Sequence, residues 1–433
     1  MKRIIIVLTV FLFLCTNNKL CSQSQNNLEN QSLILQGVTI VDGNGTDPIR
    51  NQTIIIENGY IKEILNTNRE KDYLNTNIID VSNHWVIPGL IEGHNHISDI
   101  TDEELQKALR YGVMGIRDMA GDAQFLKDIQ TRINRNELLA PDIYYSALFA
   151  GESLIQNDFR ARLATPDSIP LGDAPWMRQI DENTNINEVI KEAKNCGATG
   201  IKLYAYLTPE LVNKIVTEAH IQGLKVWAHA FVYPAKPEDL VEANCDGLSH
   251  APFLLYPLDW EYQPNGSFDL SAEVLSSKRI DNILDNMKRK NIILDPTLFL
   301  FKVTVNKLAD KKPELNDKLE LAYDITRKAY RKGIKIAVGT DFSLINEETD
   351  KPTIFDEIYV LVNEIGMSPI EVISACTKNN AELIGTEKTL GTVEVGKRAN
   401  LIVLKNDPTV DITNIEDPVI VIKNGKIVLN KLE

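Results

Sequence analysis

Four of the six histidines in this chain, at positions 94, 96, 229 and 250, stand at the ends of apolar, strand-like runs. His94-Asn95-His96 closes the run Val86-Ile87-Pro88-Gly89-Leu90-Ile91, and on a strand residues i and i+2 point to one side, so both imidazoles can reach a single metal ion. His229 ends Val226-Trp227-Ala228 and His250 ends Gly247-Leu248-Ser249. Lys202 sits in Gly200-Ile201-Lys202-Leu203-Tyr204, and Asp341 follows Ile336-Ala337-Val338-Gly339-Thr340. Taken singly, each has a plain structural explanation: an aspartate after a strand caps a helix, and a strand-end histidine bonds its neighbours. Six such residues on strand ends that share one face point instead to a metal site. His84, ahead of these strands, and His220, inside a helical stretch, read as non-ligands.

That argument needs elements that bring the strand ends together. Strand-like runs recur near residues 86–93, 113–118, 142–148, 199–204, 225–229, 246–250, 292–296 and 335–340, and helical patterns follow most of them. Thr208-Pro209, for example, supplies an N-cap and a first-turn proline to Leu211, Val212, Ile215, Val216 and Ala219 at helical spacing, with Gly223 as the stop. Thr101 with Glu104, and Ser368 with Glu371, form capping boxes. Eight such units predict an α/β fold, a (β/α)8 TIM-like barrel over 88–385, whose strands converge at their C-terminal ends on one mouth. A doubly wound open sheet is the competitor, but no glycine-rich dinucleotide turn supports one. The segments 33–87 and 386–433 carry matching Asn-Gly hairpins at Asn58-Gly59 and Asn424-Gly425, and are expected to pair into a small β-sandwich domain built from both chain termini. The stretch 151–195, rich in Pro and Asp, is long enough to be a substrate lid. Trp176, Arg178, Tyr204, Phe231 and Tyr233 lie at or beyond the expected mouth and are candidate substrate contacts.

The chain start is of a different kind. Met1-Lys2-Arg3 is basic, residues 4–15 are apolar apart from Thr9, and a polar stretch follows: the pattern of a signal peptide, assigned to 1–22, with 23–32 as a linker. The apolar run is too short to span a membrane. Export to the periplasm or the exterior is therefore expected, and a lipid anchor at Cys21 fits less well because Leu20, a large residue, precedes it. Removal of residues 1–22 takes away Lys2, Arg3, Lys19 and no acids, so the formal charge moves from −14 to −17. This acidic balance excludes a nucleic-acid partner held by phosphate contacts and leaves a small molecule as the substrate, with a homo-oligomer as a quaternary option. Of five cysteines, Cys196, Cys245 and Cys376 remain, widely spaced, and read as small buried hydrophobes. Gly391 to Lys397 nearly matches a phosphate-binding loop, but Arg398 replaces the Ser or Thr and a strand follows instead of a helix. Neither an HExxH nor a Gly-x-Ser-x-Gly occurs.

From about Leu33 onward the chain resembles the amidohydrolase superfamily, through Pro88-Gly89-Leu90-Ile91-Glu92-Gly93-His94-Asn95-His96, Lys202, His229, His250, Gly339-Thr340-Asp341 and the closing Gly391-Thr392-Val393-Glu394-Val395-Gly396-Lys397-Arg398-Ala399-Asn400-Leu401. Within it the likeness is to the imidazolonepropionase-like and prolidase-like branch. The resemblance implies two zinc ions, one held by His94, His96 and Asp341 and the other by His229 and His250, with carboxylated Lys202 bridging them. It implies a shared zinc-bound hydroxide that attacks a carbonyl, with Asp341 as the catalytic proton carrier. Mononuclear deaminase-like members carry an acid three residues after the fifth-strand histidine, where this chain has Val232. Dipeptidase-like members have a second histidine where Phe231 stands, and a tyrosine at the end of strand seven, where this chain reads Asp295-Pro296-Thr297. These departures favour hydrolysis of a C–N bond in a cyclic or other non-peptide amide. The alternatives are a dipeptidase, a lactone or ester hydrolase on the same site, and a non-catalytic binding protein, which would lack a ligand.

Overall fold

A computed structural model of the chain describes residues 32–66, 77–255, 278–308 and 314–432. The expected signal peptide and nearly all of the linker lie outside these residues.

Both ends of the described chain enter one eight-stranded sheet. Its order is Lys426–Asn430, Pro418–Lys423, Leu401–Leu404, Trp85–Pro88, Ser32–Ile40, Ile49–Glu57 and Tyr60–Asn66, with Asn77–Asp80 alongside Ser32–Ile40. The two Asn-Gly pairs make two-residue hairpin turns, with φ of 52° and 83° at Asn58-Gly59 and 50° and 74° at Asn424-Gly425. Asparagine and glycine tolerate these left-handed values, and the turn's twist matches that of the strands. Leu401–Leu404 runs antiparallel to Trp85–Pro88, which joins the two ends of the chain. Leu35, Ile40, Ile54, Ile56 and Val86 from one end share a buried core with Leu401, Val403, Ile420 and Ile422 from the other. The expected β-sandwich from both termini is therefore present.

A single residue, Gly89, separates Pro88 from the barrel. Its strands are Leu90–Asn95, Val113–Asp118, Asp142–Ala150, Gly200–Leu203, Lys225–His229, Gly247–Ser249 and Ile293–Asp295, each parallel to the next. All six residues of Leu90–Asn95 and of Val113–Asp118 are buried, as expected of parallel strands covered on both faces. The eighth position differs from expectation: 335–342 forms no regular strand. It closes the barrel through isolated parallel bridges, Leu294 to Ile336 and Asn95 to Phe342. Two backbone hydrogen bonds join it to each neighbour: Ala337 N–H to the Leu294 carbonyl at 2.8 Å and Leu294 N–H to the Lys335 carbonyl at 3.0 Å on one side, and Gly93 N–H to the Val338 carbonyl and Asp341 N–H to the His94 carbonyl, both 2.8 Å, on the other. The pairing is too sparse for a continuous ladder.

Between the strands the helices start where their caps dictate. Thr101 with Glu104 and Ser368 with Glu371 make both bonds of the capping box, and Thr208 caps the helix Pro209–Ile221. The 151–195 stretch divides in two. Residues up to about 180 form short helices, Glu152–Asn157 and Phe159–Leu163, and two short strands, of which Met177–Gln179 pairs in parallel beside the C-terminal end of Asp142–Ala150. The remainder is the barrel helix Ile186–Cys196, which starts at the Asn185 cap and ends at left-handed Gly197.

Candidate active site

The strand ends converge as their positions require. His94 belongs to the first barrel strand and His96 follows it, Lys202 lies in the fourth, His229 ends the fifth, and His250 directly follows the sixth. Asp341 lies in the closing segment. One ligand atom each from His94, His250 and Asp341 fall within 4.8 Å of one another. Asp341 is the hub: its Oδ1 is 3.2 Å from His96 Nε2 and 3.6 Å from His94 Nε2, and its Oδ2 is 3.8 Å from His250 Nδ1. The His229 ring joins the group through His250, with ring centroids 4.6 Å apart. This trio draws on both ligand sets that the resemblance implies. His84 and His220 stand elsewhere, bonded to the Ser82 carbonyl and to Asp246.

Hydrogen bonds set which imidazole nitrogens are available. His229 Nδ1 donates to the Phe231 carbonyl at 3.0 Å, and His94 Nδ1 donates to Asp295 Oδ2 at 2.6 Å. His250 Nδ1 lies 2.8 Å from Thr297 Oγ1, whose own proton goes to the Pro296 carbonyl. Each contact places the proton on Nδ1 and leaves the Nε2 lone pair for a ligand role. Burial holds these rings neutral, pushing His229 down to about 3 and His250 well below its ordinary value. Burial, helped by the neighbouring Arg117, lowers Lys202 to about 7, and its amine makes no hydrogen bond or ion pair with any described residue. Burial alone would raise Asp341, but His94, His96 and His250 hold it well below the carboxylate range. His250, Thr297 and Asp341 have left-handed φ of 71°, 52° and 50°. Such backbone is costly for residues with a side chain, on the order of 1–3 kcal/mol each, and clusters at functional sites. Neutral imidazoles, one ionised carboxylate and an amine that is easily deprotonated form a donor set that fits divalent metal.

Sequence reasoning missed the charged residues beneath this group. Glu92, Arg117 and Asp295 are fully buried inside the barrel. Burial pushes Glu92 up to about 8, where it accepts the backbone N–H groups of His94 and Thr340. No periodicity marks these residues, because the strands that carry them are covered on both faces.

The imidazoles open into a cavity of about 190 Å³. Its other walls are Met119, Leu148, Leu154, Leu163 and Met177, together with Asp158 and Arg160 from the inserted segment. Of the five candidate substrate contacts, Tyr204 lines this cavity, with its ring 5.0 Å from that of His229. The other four do not line it. Trp176 is buried with its indole N–H on the Ala164 carbonyl, and Arg178 pairs with Glu192. Phe231 is buried and Tyr233 packs edge-on to Tyr206, both outside the wall. Arg160 takes the place sought for Arg178, bonded to Asp158 and 5.8 Å from the Tyr204 ring. Its only sequence signal was membership of the inserted segment.

Residues 174–428 match the family model described as "Amidohydrolase family". The chain is 22% identical to the imidazolonepropionase of Clostridium tetani over 450 residues, covering 90% of this chain and 93% of the relative. It is also 22% identical to the 5-methylthioadenosine/S-adenosylhomocysteine deaminase of Pyrococcus furiosus over 405 residues, 85% of each. Among solved structures, a Xaa-Pro dipeptidase with bound methionine superposes with a TM-score of 0.72 at 21% identity, over 92% of this chain and 99% of that one. The ochratoxinase of A. niger superposes at 0.74 and 20% identity, over 93% and 96%. At such identities the likeness to the solved structures concerns the fold.

Proposed function

Because the chain belongs to the amidohydrolase family, we propose that it is an exported hydrolase that uses two zinc ions to cleave a C–N bond in a cyclic or other non-peptide amide. Export is supported by the basic and apolar chain start. The observation that carries the chemistry is the convergence of four imidazoles, Asp341 and the buried Lys202, which has no partner among the described residues, on one cavity. His94, His96 and Asp341 would hold one ion, His229 and His250 the other. Lys202, lowered to about 7, offers a free amine near neutral pH that can add CO2 and release a proton, and the resulting carbamate would bridge the ions. Bound there, the metal pair would acidify the attacking water and polarise the substrate carbonyl. Asp341 would take the proton of the water and return it to the leaving nitrogen. The inserted segment, through Leu154, Leu163 and Met177, gives the cavity an apolar wall that keeps bulk water off the reacting carbonyl.

A dipeptide or other carboxylate-bearing amide is the second reading, and the observation that favours it is Arg160, a cation on the cavity wall. A kinetic screen of cyclic imides, blocked dipeptides and lactones separates the two, with zinc measured on the same preparation. Turnover confined to lactones, or protein without zinc, would sink the amide reading. His229→Ala is expected to lose zinc and to lower turnover by at least a hundredfold; full activity with full metal content would show that the site is misassigned.

A further inference from the structure

Barrels of this type ordinarily fill their interior with layers of branched apolar side chains. Here the layer under the histidines is charged. Asp295 ends the seventh strand, 1% exposed, and its Oδ2 accepts three hydrogen bonds: from His94 Nδ1 at 2.6 Å, from Arg117 Nη2 at 2.8 Å and from Ser249 Oγ at 2.9 Å. Arg117 also donates through Nε to the Gly93 carbonyl and lies 4.9 Å over the Trp227 ring. The cluster therefore links strands one, two, six and seven. The closing segment is shaped to admit it: a Cβ on Gly339 would stand 2.6 Å from both Asp295 Oδ1 and the His94 Cβ.

As packing, this arrangement is a poor bargain. An ion pair buried so deeply gains little over apolar side chains of equal volume. Three of its atoms, Asp295 Oδ1, Arg117 Nη1 and Glu92 Oε2, find no hydrogen-bond partner among the described residues. What the cluster does achieve is to fix one imidazole. We infer that Asp295 is a positioning residue for His94. Held on its far side by Arg117 and Ser249, it keeps the ring in the Nδ1–H form and turns Nε2 towards Asp341. The arginine is part of the device, because its Nη2 donates to the same Oδ2 from the far side and holds the carboxylate against His94. Of the three Nδ1 hydrogen bonds, that of His250 goes to a neutral hydroxyl and that of His229 to a carbonyl; that of His94 goes to a carboxylate.

The inference rests on His94 being a metal ligand, but its test does not need a substrate. With six histidines in the chain, a nitrogen-15 histidine-labelled sample of the metal-stripped protein gives a spectrum simple enough to read, and His94→Gln identifies the resonance concerned. The wild-type spectrum should show the His94 proton on Nδ1. In Asp295→Asn the amide can donate in place of the carboxylate, so the proton should move to Nε2, as when such a carboxylate is lost from a catalytic histidine. Zinc affinity, measured by competition with a chromophoric chelator, should then fall 10- to 100-fold. Asp295→Asn folded, with the proton still on Nδ1 and affinity within twofold of wild type, would show Asp295 to be structural filler. If that variant does not fold, the wild-type spectrum decides: a proton on His94 Nε2 overturns the inference. Wild-type protein that takes up no zinc sinks the functional reading instead, so the two failures are distinguishable.

Discussion

Asp246, at the foot of the sixth strand, joins three elements through one carboxylate. It accepts from His220 Nε2 at 2.9 Å, Lys225 Nζ at 2.9 Å and the Val226 backbone N–H at 2.8 Å. Burial would raise this carboxyl, but the His220 and Lys225 contacts hold it below its ordinary 3.8. A carboxylate more acidic in the folded chain than in the unfolded one stabilises the fold above about pH 4, and that contribution is lost as acid protonates it. Asp246→Asn should therefore cost about 1–2 kcal/mol at pH 7, because the amide keeps one acceptor oxygen while its NH2 faces a donor left partly buried and unpaired. Its deficit against wild type should shrink when urea unfolding is repeated near pH 3.5. The four clustered histidines were legible because each ends a run of apolar residues. Asp295, Arg117 and Glu92 were not, because a charged residue buried inside a barrel is by type identical to one on its surface. Their roles come from strands that are far apart in sequence, as with His94 and Asp295.

Among the elements, the inserted segment after the third strand is the one that shapes the cavity. Its composition marked it as an insertion, yet which side chains face inward depends on how its short helices dock. Trp176, expected at or beyond the mouth as a substrate contact, instead gives its indole N–H to the Ala164 carbonyl and serves as packing. Leu163, 75% exposed overall, still contributes to the cavity wall beside Arg160. If Arg160 recognises a carboxylate, Arg160→Ala should raise KM for carboxylate-bearing amides roughly tenfold or more, equivalent to about 1.4 kcal/mol, with kcat little changed. Neutral amides should be unaffected, and an equal effect on both classes would show that Arg160 supports the lid rather than the substrate.

Across the whole molecule, one buried contact ties the terminal sheet to the floor of the barrel. Lys423, beside the second Asn-Gly turn, sends its amine to Asp142 at 2.8 Å and to the Ala140 carbonyl. Arg398 approaches the same aspartate at 3.4 Å. In sequence Lys423 reads as the exposed flank of a hairpin, whereas the paired hairpins themselves announced a domain built from both ends. Lys423→Met should leave Asp142 buried with a single weak partner and cost roughly 3 kcal/mol. Because strands from both termini share one core, denaturant unfolding should remain a single transition, with a lower midpoint and an unchanged slope. Two separated transitions would mean that sheet and barrel fold independently.

The irregular eighth segment carries a consequence beyond fold assignment. Asp341 stands on the barrel's irregular stave, joined to the first strand by two backbone hydrogen bonds and an isolated bridge, and faces His94 directly across that seam. An ion gripped by both residues would act as a rivet, closing the hoop that the backbone leaves half-stitched. Acquiring metal and completing the barrel would then be a single event, with binding energy doubling as folding energy.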